Sequence, residues 1–101
     1  MLFKLNWTTS ADLTFSEEID FIFLKWNESE VIKFIKVVDD CLCKLQSYPN
    51  LGRLIEKKNI YRLTISRQTT LYYKILHESQ QIDLILFYNN LQDPKSLQKY
   101  F

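Results

Sequence analysis

A chain of 101 residues, 47% hydrophobic and 15% aromatic, has the material for one packed domain, which excludes a disordered chain or an array of modules. One Gly and two Pro leave little for linkers, and no repeat or low-complexity tract interrupts residues 1–101, so a single domain is expected. The net charge of +1 gives no overall pull toward nucleic acid or an anionic membrane.

That near-neutrality hides a polarity along the chain. Residues 1–50 carry five Lys against eight acids, a net of −3, and residues 51–101 carry eight Lys or Arg against four acids, a net of +4. The densest stretch sets Arg53, Lys57, Lys58, Arg62 and Arg67 against Glu56 alone. It suits a solvated loop and strand face as well as it suits a phosphate-binding surface.

Leu2 to Trp7 alternates, with Phe3, Leu5 and Trp7 on one side, and predicts a strand with one buried face. The start has no basic segment followed by an uninterrupted apolar one, so no signal peptide is expected. Thr8, Thr9 and Ser10 offer capping hydroxyls to a helix whose apolar face reads Phe15, Ile19, Ile22, Phe23 and Trp26. The longest apolar window, Ile19 to Trp26, is broken by Asp20 and Lys25 and is far short of the roughly 20 residues of a membrane span. A cytoplasmic protein without a membrane partner is expected.

Asn27 followed by Glu30 resembles a capping box and starts a second helix. Val31, Phe34, Ile35, Val38, Cys41, Leu42 and Leu45 repeat at helical spacing, the strongest periodicity in the chain. Cys41 and Cys43 then point about 200° apart, so they are read as small, at least half-buried hydrophobes with no mutual disulfide. No metal set and no cofactor motif is present. The short link between the helices predicts an antiparallel hairpin.

Ser47 to Arg53 turns the chain: Pro49 cannot extend a helix, and Gly52, the only glycine, is available for a positive φ. From Asn59 to Asn90, three runs rich in β-branched and aromatic residues predict a three-stranded antiparallel meander. Asp93 and Pro94 break the last strand, leaving residues 95–101 as a short helix or tail with Tyr100 and Phe101 packed by default. The expected fold is α+β, in the order β-α-α-β-β-β, a small mainly antiparallel sheet covered on one face by the helix hairpin.

This order resembles the RelE/ParE superfamily of bacterial type II toxins. The resemblance lies in Leu45-x-x-Tyr48-Pro49-x-Leu51-Gly52-Arg53, Tyr61-Arg62-Leu63, Leu71-Tyr72-Tyr73 and Asp93-Pro94. It implies a cognate antitoxin as partner and one of two targets. RelE-like and YoeB-like members cut messenger RNA on the ribosome, and ParE-like members poison DNA gyrase.

Cleavage through a 2′-hydroxyl requires a base, an acid and cations around the phosphate. Where RNA-cutting relatives carry Arg before the Leu-x-Tyr strand, this chain has Thr70, and where they carry Arg, or His and Tyr, after the last strand, it has Tyr88, Asn89 and Asn90. Asn cannot take up a proton near neutral pH. The only histidine, His77, closes a strand beside Glu78 and reads as a surface or turn residue, with no second proton carrier at a suitable spacing.

The resemblance therefore implies a ParE-like gyrase inhibitor that acts by binding, with Arg53, Arg62, Arg67, Tyr72, Tyr88, Asn89 and Asn90 as its target-binding residues. An endonuclease acting on ribosome and mRNA would draw on Arg62, Arg67, His77 and Tyr88. A relative that has lost toxicity and only binds a partner is the third reading.

Overall fold

The computed structural model describes residues 2–92 and Leu97. The expected break at Asp93 and Pro94, and the terminal tail apart from Leu97, lie outside the described residues. Strand β1 (Lys4–Trp7) leads into helix α1 (Thr9–Lys25), and a two-residue link connects it to helix α2 (Glu28–Ser47). Strands β2 (Arg53–Ile55), β3 (Ile60–Thr64), β4 (Thr69–Leu76) and β5 (Gln81–Asn89) follow, with short 3-10 turns at Pro49–Leu51 and Glu56–Lys58. The sheet runs β1-β5-β4-β3-β2, with β1 parallel to β5 and the other pairs antiparallel.

The α+β class and the hairpin on one face of the sheet are as expected, and the sheet has one strand more. β2 has three residues, too few for an alternating pattern to register, and pairs with β3 so that Arg53 lies opposite Arg62.

Both helix starts are capped as their sequences require. Thr8 Oγ1 accepts from the Ala11 N–H at 3.1 Å, and Asn27 Oδ1 accepts from the Glu30 N–H at 3.0 Å. Helix α2 buries Val31, Phe34, Val38, Leu42 and Leu45, as its periodicity predicts, while Ile35 rotates to the rim and Cys43 is exposed. Cys41 is half-buried, and both thiols are free.

Helix α1 departs from expectation. Its buried stripe is Ala11, Thr14, Glu18 and Ile22; Phe15 and Ile19 are half-buried, and Phe23 and Trp26 are exposed. The cause is polar. β1 pairs with β5 only as far as Leu84, so beyond that point the β5 edge needs other partners. Helix α1 supplies them: Thr8 Oγ1 donates to the Leu84 carbonyl at 2.7 Å, and Thr14 Oγ1 accepts from the Phe87 N–H at 2.9 Å. Between these two contacts Ile85 forms a bulge, since Tyr72 pairs with Leu86 and Tyr73 with Leu84. Trp26 instead closes the helix at the surface, with Lys25 Nζ 4.9 Å above its ring.

The main core lies between hairpin and sheet, where Trp7, Phe15, Phe34 and Phe87 stack around Val38, Leu45, Leu71 and Leu84. Tyr73, with no exposed surface, is its polar anchor. Its hydroxyl donates to the Pro49 carbonyl at 2.7 Å and accepts from the Gly52 N–H at 2.9 Å, and its ring stacks on Tyr61 at 5.3 Å.

This explains Gly52 differently from the sequence reading: its φ is −81°, open to any residue. What demands glycine is proximity, because a Cβ would lie 2.7 Å from the Arg62 carbonyl oxygen and 2.8 Å from the Tyr73 hydroxyl. Among the described residues, those at positive φ are Asn59 and Gln80, both in turns.

Gly52→Ala is expected to cost about 1–3 kcal/mol in urea unfolding, from overpacking against backbone. Burial pushes the Tyr73 phenol up to about 12. The folded state thus keeps a proton that the unfolded chain releases near pH 10, and this contribution to stability is lost as pH rises from about 10 to about 12. Tyr73→Phe should flatten that part of the alkaline stability profile relative to the wild type.

Candidate functional site

Strand alternation places one set of side chains under the helices and the other on the opposite face of the sheet. On that open face, Arg53 of β2, Arg62 and Thr64 of β3, Thr70 of β4 and Asn90 beyond β5 line a depression of about 510 Å³. Arg53 and Arg62 are exposed register partners, so two guanidinium groups stand side by side across adjacent strands. Thr70 Oγ1 donates to Asn90 Oδ1 at 3.0 Å, and the Asn90 N–H donates to the Gln68 carbonyl at 2.7 Å, which ties the rim to the β3–β4 turn.

Next to the depression a second apolar cluster is formed by Ile60, Tyr72, Leu86 and Tyr88, with Ile55, Ile85 and Leu97 packed on it. Tyr72 and Tyr88 meet edge to face at 6.4 Å, and the Tyr88 hydroxyl donates to the Gln92 carbonyl at 3.2 Å. Burial pushes the Tyr72 phenol above its ordinary value, with Arg62 pulling the other way. Tyr72 is buried, 6% exposed, which is the cause of that shift.

The expected site residues divide among three places. Arg53, Arg62, Tyr72, Tyr88 and Asn90 share the open face. Asn89 points to the helix side, where its Oδ1 accepts from the Leu91 N–H at 2.8 Å. Arg67 sits in the β3–β4 turn and lines a different groove, of about 460 Å³, with Ile22, Trp26, Lys33, Phe34 and Val37 of the hairpin. His77 opens the exposed turn after β4, with Phe3 edge-on at 6.5 Å. The alternative set of Arg62, Arg67, His77 and Tyr88 is thus not assembled in one place.

Two contributors escaped the sequence reading. Thr64 joins the depression because it is two residues beyond Arg62 on the same strand face, a placement the alternation itself carries. Glu18 lies behind the site, buried under α1, and no residue pattern announces a buried carboxyl inside a helix.

Chemically, the open face can grip an anionic or hydrogen-bonding group through two guanidiniums, two threonine hydroxyls and an amide. Among the described residues, those lining the depression include no carboxyl and no imidazole.

No protein-family model matches the sequence, and no curated protein does. Solved structures do. A chain of the chromosomal ParDE TA system from P. aeruginosa superposes with a TM-score of 0.73 at 18% identity, over 87% of this chain and 96% of that one. A chain of the toxin-antitoxin complex RelBE2 from Mycobacterium tuberculosis does so with a TM-score of 0.64 at 14% identity, over 88% and 99%. The chain therefore shares its fold with these two chains of toxin-antitoxin systems, the fold that its resemblance to the RelE/ParE superfamily implies.

Arg62 opposes the upward shift of the Tyr72 phenol, so Arg62→Met is expected to raise that pKa further in an ultraviolet titration of the tyrosines. An unchanged Tyr72 titration would separate the two side chains.

Proposed function

We propose that this chain is the toxin of a type II toxin-antitoxin pair and that it acts as ParE-like members do, by binding and inhibiting DNA gyrase. The observation that carries the choice is the make-up of the open face. It offers paired guanidiniums for recognition, while the Tyr72 hydroxyl beside it is pushed toward the protonated form and the other polar groups among the described lining residues are hydroxyls and an amide. Such a surface can bind tightly, but it is poorly suited to moving a proton off a 2′-hydroxyl near neutral pH. The likeness to a ParDE chain supports the same reading.

A cognate antitoxin is the second partner. The hairpin leaves Phe23, Leu24, Trp26, Ile32 and Val37 exposed, Leu24 to 81%. Trp26 and Val37 continue into the groove that holds Arg67 and Lys33. We assign this surface, whose groove is rimmed by Arg67 and by Lys33 paired with Glu30, to the antitoxin, because large exposed apolar side chains grouped on one helix hairpin mark an interface.

Induced expression in a bacterium tests the target. Filamentation and DNA damage with intact protein synthesis are expected. An immediate arrest of translation with cleaved messages would replace the gyrase reading with the endonuclease one, and normal growth would leave a partner-binding domain without toxicity.

A further inference from the structure

Among the buried residues in the described part of the chain, Glu18 is the one ionisable carboxyl, 4% exposed in the middle of α1. Its Oε2 accepts from Thr69 Oγ1 at 2.5 Å, and the Asn89 side chain hydrogen-bonds to it as well. Thr69 and Asn89 are register partners, the first residue of β4 and the last of β5. Each precedes in the chain a residue of the open-face depression, Thr70 and Asn90, and those two are themselves hydrogen-bonded. One helix side chain therefore holds, from below, the two strand ends whose next residues form one wall of the site above.

An apolar residue would fill the same position in α1 without the cost of desolvating a charge. Among the described residues no cation pairs with the carboxyl; Glu17 of the same helix acts on it, Asp20 shares the adjoining depression, and the strands and the segment beyond them present Thr69, Asn89, Leu91 and Gln92. What distinguishes a carboxyl here is its two hydrogen bonds to the strand ends.

We propose that Glu18 is a positioning residue for the open-face site, holding the Thr70–Asn90 wall through Thr69 and Asn89 from the opposite side of the sheet. The proposal rests on the reading of the open face as the target-binding surface. Burial raises the Glu18 pKa against the lowering effect of its hydrogen bonds. The ionised carboxylate only accepts, whereas the protonated acid carries a hydrogen of its own, so the geometry at the two strand ends follows the proton.

Nuclear magnetic resonance of the full chain tests this directly. In the wild type, the backbone amides of Thr70 and Asn90 should titrate with a common midpoint above the ordinary glutamate value, and Glu18→Gln should abolish that titration. The amides of Arg53 and Ile60, at the other end of the face, should not follow it. In the induced-growth assay, Glu18→Met should weaken inhibition roughly tenfold, the equivalent of one lost hydrogen bond to a charged group, and Glu18→Gln, which can still accept from Thr69, should retain it. Thr70 and Asn90 amides indifferent to the Glu18 titration, or a folded Glu18→Met with full inhibition, would overturn the proposal. If the wild type does not inhibit growth, the toxin reading fails while the amide titration still decides the role of Glu18.

Discussion

The hydroxyl of Tyr73 is the constraint on which the passage from helices to sheet depends. It is buried in the centre of β4, and it satisfies the Pro49 carbonyl and the Gly52 N–H at once. Helix α2 ends at Ser47, and β2 begins only six residues later beside β3. Without that hydroxyl, the Pro49 carbonyl and the Gly52 N–H of this half-buried reversal would each lose a hydrogen bond, about 0.5–1.5 kcal/mol apiece. The phenol supplies donor and acceptor together, and it requires Gly52 because any side chain would occupy its place. The register of Arg53 opposite Arg62, and so the pair of guanidiniums on the open face, follows from how this turn is pinned.

A second constraint comes from the unequal lengths of the strands at the other edge. β1 pairs four residues of β5, which has nine, and the uncovered part lies under α1. A purely apolar helix face would strand the β5 backbone, so Thr8 and Thr14 take over as partners. Glu18, one turn further along, continues the row on side chains rather than backbone. The helix that covers the sheet is thereby also hydrogen-bonded to it, and its rotation about its own axis is set by polar contacts instead of by the widest apolar stripe.

That difference explains what could be read from the sequence. Helix α2 obeys its periodicity because its buried face packs on side chains, its hydrogen bonds to the Phe3 backbone being confined to Gln46 in the last turn, and its buried residues were legible one by one. Helix α1 misled for the opposite reason. Phe23 and Trp26 look like core by type, yet the buried positions go to Thr14 and Glu18, whose partners are supplied by strands more than fifty residues away in the chain. The meander was legible from its β-branched and aromatic runs, and β2 was hidden by its length. Of the candidate site, Arg53 and Arg62 were visible as part of a basic stretch, while the separation of Arg67 and Asn89 from them depends on which face each occupies. Asn89 and Asn90 are neighbours in sequence and lie on opposite sides of the sheet.

That division has a consequence for how the open face works. A surface that grips a partner needs its groups held at fixed spacing, and strands provide this only where both faces are packed. Here the helix-side core fixes β3, β4 and β5 from below, and the cluster of Ile60, Tyr72, Leu86 and Tyr88 fills the open face beside the depression. Arg62 thus stands on a strand with packing on both sides, Arg53 stands on the largely exposed edge strand β2 and is held by its pairing with β3, and Thr70 and Asn90 are braced by one another and by the turn. Burying Tyr72 and Tyr88 in that cluster packs the face and at the same time raises the Tyr72 pKa, which makes the phenol a weaker acid. Close packing and proton transfer make opposite demands on the same phenol, and the packing of this face meets the first, as the proposed binding role requires.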